Sequence, residues 1–407
     1  MKLKKLLIPF YLILSTLYLF SCGPNEPGDP PELVPIPGYQ HDIPWPSLAN
    51  TAWPMYRHDP QLTGRSPYAG PVAGVITKTV PAPYMTSSII IGYNSTIIYT
   101  YLGNLAACNF NGIELWKLNL TSEISSTPLI NSDSTIYVTT GSLNSLVAVS
   151  ITGELKWEYK FETEAWSFSV AIGKDKNIYL VLGGKMVVLN TLGELIWELD
   201  DNQFNGSYYS GISFSPDGNQ LYCQGNDVSL IAVNIKSRSI AWSFGDQKLE
   251  SGAVIDNDGN VYILPNTIRG DKFLYCLYPD GNIKWKFEHE LVIRANNIEP
   301  AIDYKGNIIF GREIIYSLNY RGKLNWKYDL GDNKLKSSII VDSNNDIYLG
   351  TSINYNQLKI ISMNIDGQIN WELPITTETA LGLTFTINSN NELLVPTYDS
   401  NNFIIIN

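Results

Sequence analysis

A tryptophan returns through most of this chain at nearly even intervals. Trp116, Trp157, Trp197, Trp242, Trp285, Trp326 and Trp371 are separated by 41, 40, 45, 43, 41 and 45 residues. That spacing fits a unit of several short strands, repeated in a propeller or a solenoid. A length of 407 residues would accommodate two or three ordinary domains, but a repeat that fills most of the chain argues for one large closed domain.

Thr127 to Phe161 spans one complete unit: an apolar opening, then TIYVTT, SLVAVS and the tryptophan strand. Turn signals such as Ser132-Asp133, Thr152-Gly153, Asp258-Gly259 and Asp280-Gly281 separate these short segments. They predict four antiparallel strands joined by tight turns, the makeup of a propeller blade. Second strands occur eight times, at Ile98-Tyr99, Ile136-Tyr137, Ile178-Tyr179, Leu221-Tyr222, Val261-Tyr262, Ile308-Ile309, Ile347-Tyr348 and Leu393-Leu394. Third strands also occur eight times, the last being FIIIN at Asn407, whereas the tryptophan strand occurs only seven times. The unassigned stretch Gly74 to Val80 has the length to supply the missing strand and remove the open edge. The expected fold is therefore all-β: an eight-bladed β-propeller of four-stranded antiparallel blades, closed by an N-terminal strand.

Glycine stands four residues before tryptophan at 112, 153, 193, 281, 322 and 367, with Arg238 in the remaining case. It suits a turn position with positive φ. Leu or Ile stands two before tryptophan in six of seven cases, Glu114 being the exception. Residues two apart share a strand face, so the aliphatic residue and the indole are both expected to pack against the adjoining blade.

Ahead of the repeat, Lys2, Lys4 and Lys5 precede the apolar run Leu6 to Phe20, then Ser21 and Cys22. This pattern reads as a secretory leader; the run is short for a membrane span, which needs about 20 residues. Leu19-Phe20-Ser21-Cys22 resembles a bacterial lipobox, which implies lipid attachment at Cys22 and a chain held at the membrane by that residue. Gly23 after it favours the outer membrane, with periplasmic or surface exposure left open. Prolines at 24, 27, 30, 31, 35, 37, 44 and 46 favour extended chain. The expected organisation is a signal peptide at 1–21, a Pro-rich tether at 22–46, a lead-in strap at 47–73 and the propeller at 74–407.

The formal net charge is −11, which repels phosphate backbones and argues against nucleic-acid partners. Cys108, Cys223 and Cys276 lie on strands of different repeats among aliphatic residues and read as small buried hydrophobes. Neither CxxC nor an adjacent pair of cysteines occurs, so no zinc site or local redox disulfide is expected.

The repeat SSPLI, TIYV, LVAV, GELKW over residues 75 to 407, preceded by Trp53-Pro54-Met55-Tyr56-Arg57-His58-Asp59, resembles the PQQ-like eight-bladed β-propeller family. Ile212 to Gly218 also resembles the blade signature of other bacterial propellers. The PQQ-like family contains periplasmic quinoprotein dehydrogenases and cofactor-free lipoproteins such as the propeller subunit of the outer-membrane β-barrel assembly machinery. The dehydrogenase class implies a quinone, a calcium ion, a catalytic aspartate and adjacent cysteines. The last feature is absent here, while the lipobox matches the scaffold class.

No catalytic constellation emerges. His41, His58 and His289 are the only histidines, and no HxH, HExxH, GxGxxG or GxxxxGK[ST] spacing occurs. Arg57-His58-Asp59 reads as a docking segment before a catalytic one, and Asp256-x-Asp258-Gly259 as a hairpin turn before a calcium loop. In a uniform scaffold, departures from the repeat are where function is added. Trp166 takes the place of Ser125 at the entry to an innermost strand. Phe204, Tyr208, Tyr209 and Arg294 in other inter-blade connections, with Arg269 from a longer loop, are expected on the same face. Aromatic residues with arginine form binding hot spots, although these residues would equally serve to plug the funnel. The expected function is a monomeric, non-enzymatic, lipid-anchored scaffold with a protein partner, needing no cofactor or metal. The alternatives are a quinoprotein dehydrogenase and a surface glycan-binding module.

Overall fold

A computed structural model describes residues 36–407 apart from 83–84, 121–123, 125, 142–143, 163–169, 205–210, 227, 247–248, 250–251, 266, 268–269, 292–298, 354–356, 376–382 and 397–401. The leader, Cys22 and most of the tether lie outside the described residues. Within Gly38–Asn407, eight antiparallel sheets follow one another as blades. No α-helix occurs among the described residues, and Tyr93–Ser95 forms a short 3-10 turn.

Seven blades are built from consecutive strands, innermost first, and the eighth draws on both ends of the chain. Its inner strands are Thr386–Ile387, Leu393–Pro396 and Asn402–Ile406, and its outermost strand is Ile76–Pro81. Ile76 pairs with Ile406 and Pro81 with Asn402. The expected closing strand is therefore present.

The cores lie between blades, because second and third strands are buried on both faces. In blade 2, Ile136 and Val138 join the cluster shared with blade 1, whereas Tyr137 joins the one shared with blade 3. One alternating strand thus contributes to two walls at once.

Around the rim the walls are pinned by a repeated contact. Five indole N–H groups reach a carbonyl in the next blade: Trp116 to Ile151, Trp157 to Thr191, Trp242 to Pro279, Trp285 to Tyr320 and Trp326 to Ile365. In each case the same ring covers that blade's turn glycine. A Cβ on Gly153 would lie 2.6 Å from Trp116, so glycine is required there by contact as well as by its φ of +86°. Trp371 reaches Pro71 and covers Gly74 ahead of the closing strand. In the closing strand Lys78 stands at the tryptophan position, with its Nζ donating to Phe110 O, and Val80 lies against Gly112.

Two expectations need correction. The aliphatic residues two before tryptophan do not share its cover: Leu155, Leu195, Ile283, Leu324 and Ile369 are 38 to 54% exposed. A β-bulge separates the two positions: Leu155 pairs with Val149 and Trp157 with Ala148, neighbours that face opposite walls, so the aliphatic residue and the indole leave opposite faces. The docked N-terminal segment also begins earlier than residue 47, since Gly38 packs on Tyr320, Gln40 N–H bonds Tyr304 O, and Trp45 is buried.

Candidate functional site

The innermost strands of a propeller leave one backbone edge facing the central channel, and unpaired polar groups there would be costly if kept from water. In this protein the segment from Gly38 to Pro71 satisfies many of them. Its carbonyls accept N–H groups from Ile91 (to Trp53), Ile130 (to Pro54), Phe214 (to Pro60), Ile255 (to Gln61), Ile302 (to Thr63) and Val341 (to Gly64). Blade 3 instead accepts, from Trp45 Nε1 to Ile172 O and from Ser47 Oγ to Gly173 O. One strap therefore bonds to the inner strands or adjoining turns of seven blades.

The strap turns sharply through left-handed residues, with φ of 56° at Arg57, 77° at His58 and 56° at Leu62. Asp59 holds this turn by accepting the Gln61 and Thr63 N–H groups and the Thr63 hydroxyl. Burial opposes ionisation of Asp59, but hydrogen bonding and charge from His58, the charge of Arg65 and the Thr63 hydroxyl outweigh it and hold the carboxyl below its usual range. Arg57, fully buried, donates from Nε to Leu62 O at 2.8 Å, from Nη2 to Pro300 O at 2.5 Å and from Nη1 to Ile339 O at 3.4 Å. The Arg57-His58-Asp59 cluster is thus engaged in fixing the strap.

The strap meets the blades at a ring of small residues. Two positions before each innermost strand the sequence places Ser88, Thr127, Ser169, Gly211, Gly252, Glu299, Ser338 and Thr384. Glu299 is the one charged member and is 0% exposed. Its Oε2 accepts the Tyr56 hydroxyl at 3.0 Å and the Ser338 hydroxyl at 3.3 Å, its Oε1 accepts Gly252 N–H at 3.3 Å, and Arg57 Nη1 lies at 3.9 Å. Thr384 continues the network to Ser338 and Ser88. Burial, then the Glu299 charge, pushes the Tyr56 phenol well above its ordinary value, so it remains a donor. Leu62 fills the other side of the ring: a Cβ on Gly211 would lie 2.4 Å from it, and one on Gly252 2.9 Å. Aligning the lead-in residues of the eight innermost strands would have singled out Glu299 from the sequence, whereas the search for departures in the longer loops passed over it.

Of the residues expected to form the binding face, Trp166, Tyr208, Tyr209, Arg269 and Arg294 lie outside the described residues. Phe204 is described and 2% exposed. A bridge to Gly225 and backbone bonds to Gly184 and Asp201 fix its position, and its ring joins the core of blades 2 to 4. It offers no open contact surface.

Among the described residues no group of three or more His, Cys, Asp or Glu is placed to hold a metal ion. Asp256 accepts the N–H groups of Asp258 and Asn260 and the Tyr262 hydroxyl, as a hairpin cap does. Cys108, Cys223 and Cys276 are free and buried. Burial, then Glu114 for Cys108 and Asp256 for Cys276, pushes both thiols up to about 12, away from nucleophilic reactivity.

A family profile described as outer membrane protein assembly factor BamB matches residues 81–207 and 152–268. No curated protein matches by sequence. The crystal structure of BamB from Moraxella catarrhalis is similar with a TM-score of 0.59 at 13% identity, covering 82% of this chain and 97% of that one. A europium-containing methanol dehydrogenase is similar with a TM-score of 0.62 at 10% identity, covering 84% and 89%. The quinohemoprotein alcohol dehydrogenase ADHIIG from Pseudomonas putida HK5 gives 0.63 at 10%, covering 85% and 75%. Identities this low show the shared fold and do not choose between an assembly factor and a dehydrogenase. In fold the chain is an eight-bladed β-propeller, and its repeat is similar to that of BamB over residues 81–268.

Proposed function

We propose that this protein is a non-enzymatic binding or assembly scaffold of the cell envelope, anchored through a lipid on Cys22 and meeting a protein partner through its inter-blade loops. The carrying observation is the channel: Tyr56, Arg57 and Leu62 of the chain's own strap fill it at the inner ring. A rigid ring filled from within fits a scaffold, with contact left to its surfaces. The repeat match to an assembly factor supports the same reading, as does the lipobox resemblance at Leu19 to Cys22. Outer-membrane attachment and a monomeric state belong to this proposal.

Calorimetry of residues 38–407 with pyrroloquinoline quinone and calcium tests it against the dehydrogenase reading. No saturable binding is expected, and micromolar binding would replace the scaffold with an oxidoreductase. The anchor is tested separately: Cys22→Ser should move the full chain from the membrane to the soluble fraction.

A further inference from the structure

On the face where the strap enters, a blade turns twice, once after its innermost strand and once before its tryptophan strand. Both turns of blade 6 depart from the repeat. At the centre of the first, the other seven blades place Asn or Asp, four of them Asp, whereas blade 6 places Lys305. Beside the glycine of the second, no other blade has a cation; blade 5, for example, has Asp280 and Asn282, whereas blade 6 has Arg321 and Lys323. All three cations are exposed.

The two turns meet at the first residue of the domain. Gly38 packs on the Tyr320 ring, and Gly306 lies against Gly38 O, so Lys305 and Arg321 flank the point where the chain enters. Asn319 fixes the second turn by accepting the N–H groups of Arg321 and Lys323, and the Tyr320 hydroxyl accepts Arg321 Nε at 2.8 Å. Tyr39, next to Gly38, is 48% exposed. The cations are also uncompensated. Elsewhere on blade 6, Arg312 and Lys334 lie 3.5 and 3.7 Å from Glu313, and Lys327 lies 3.6 Å from Glu290. Among the described residues, Lys305, Arg321 and Lys323 form no such pair. Asp42, the exposed acid of the strap, is engaged by Arg65 and the Tyr304 hydroxyl.

We propose that this corner of blade 6 rests on an anionic phospholipid surface, with Lys305, Arg321 and Lys323 meeting headgroup phosphates and Tyr39 at headgroup level. Its proximity to a membrane rests on the anchor proposed at Cys22. Fifteen residues separate Cys22 from Gly38, a reach of about 50 Å when fully extended, so the anchor keeps this corner within range of the bilayer. Each cation favours such a surface by about fivefold. Three are too few to hold a free domain firmly, but enough to orient one already tethered. The formal net charge of −11 opposes approach by the rest of the domain. At physiological salt that repulsion is screened within about 8 Å, which leaves the turns in contact to decide. Inter-blade loops lie at the opposite ends of the strands, so this orientation turns them away from the membrane, toward a partner.

The test couples residues 22–407 through Cys22 to a maleimide lipid, the other three cysteines being buried, on phosphatidylcholine vesicles with or without phosphatidylglycerol. Lysine acetylation is then read by mass spectrometry. On anionic vesicles Lys305 and Lys323 should react more slowly than on neutral ones, by roughly threefold or more, and high salt should restore them. Exposed Lys117 and Lys160, on blades 1 and 2 across the ring, should not change. The double variant Lys305→Asn, Arg321→Asp installs residues that the same turns carry in other blades and keeps Lys323 as reporter, whose protection should disappear. Protection that survives in the variant, or that is equal on neutral vesicles or at Lys117 and Lys160, would overturn the proposal. Protection that needs an added envelope protein would overturn it too, and assign the turns to an acidic partner. Because the coupling supplies the anchor chemically, the result does not depend on lipidation of Cys22 in the cell, which its own fractionation test decides.

Discussion

The rim and the channel of this propeller are held by opposite means. At the rim one contact, an indole over the next blade's turn glycine with its N–H on a neighbouring carbonyl, recurs from blade to blade. In the channel a single unrepeated strap bonds to seven blades, and its charges are enclosed. Repetition makes each rim contact local and replaceable. The strap concentrates many dependencies in a few side chains, so damage there is felt around the ring.

The largest expected effect follows from that asymmetry. Arg57→Met leaves Glu299 buried without its cation and frees the carbonyls of Leu62, Pro300 and Ile339. Glu299→Leu strands the arginine in turn. Each change should cost about 3–5 kcal/mol, read as a loss of urea midpoint, and the double variant should cost clearly less than the sum of the two. Strict additivity would mean that the strap is a set of independent contacts, like the rim, and the comparison would fail.

The wall between blades 5 and 6 supplies a pH-dependent case. His289 is buried, with Nδ1 accepting Leu291 N–H and the ring edge-on to Phe310. Burial, then the Lys272 charge, lowers its pKa from 6.5 to about 4. The unfolded chain therefore takes up this proton first as pH falls. Stability is intact above pH 6.5 and is lost progressively down to about pH 4, by up to about 3 kcal/mol. Buried Asp256 and Asp303, both pushed up by burial, act in the opposite direction. The measurement is thus the difference between wild type and His289→Leu: the variant should lose less stability between pH 7 and pH 4.5. Parallel pH curves would remove His289 from the account.

Rim substitutions should be milder and independent. Trp157→Ala and Trp326→Ala remove half-buried rings from walls that share no residue. Each is expected to cost about 2 kcal/mol, and their effects should add within about 0.5 kcal/mol. Coupling beyond that would show strain travelling around the ring and would blur the distinction from the channel.

Legibility in the sequence followed the same division. The blades could be read because each position recurs: the closing strand was found by counting eight third strands against seven tryptophan strands. The strap occurs once, so nothing in the chain could be aligned with it, and its prolines suggest extended tether where Gln40 and Trp45 in fact bond to the blades. Glu299 was legible only by aligning the lead-in positions of the eight repeats, where it is the one charged member of a set otherwise made of Ser, Thr and Gly. The exposure of Leu155 and its equivalents is not legible because strict alternation does not foresee the β-bulge before each tryptophan, which turns the aliphatic residue away from the indole's face.

The smallest expected effect tests whether the rim contact needs glycine or merely a fitting residue. Arg238 stands where other blades have glycine, with φ of 54°, a conformation that costs a non-glycine residue about 1 kcal/mol. Its guanidinium lies 5.8 Å from the centroid of Trp197, the most deeply buried of the rim tryptophans, and such a contact returns about 0.5–1 kcal/mol. Arg238→Gly relieves the first and removes the second, so the urea midpoint should barely move. Arg238→Ala keeps the strain and loses the cation, and should fall below the glycine variant by about 1 kcal/mol. If alanine instead equals glycine, the positive φ carries no penalty in this blade, and the glycines elsewhere are fixed by their contact with tryptophan alone.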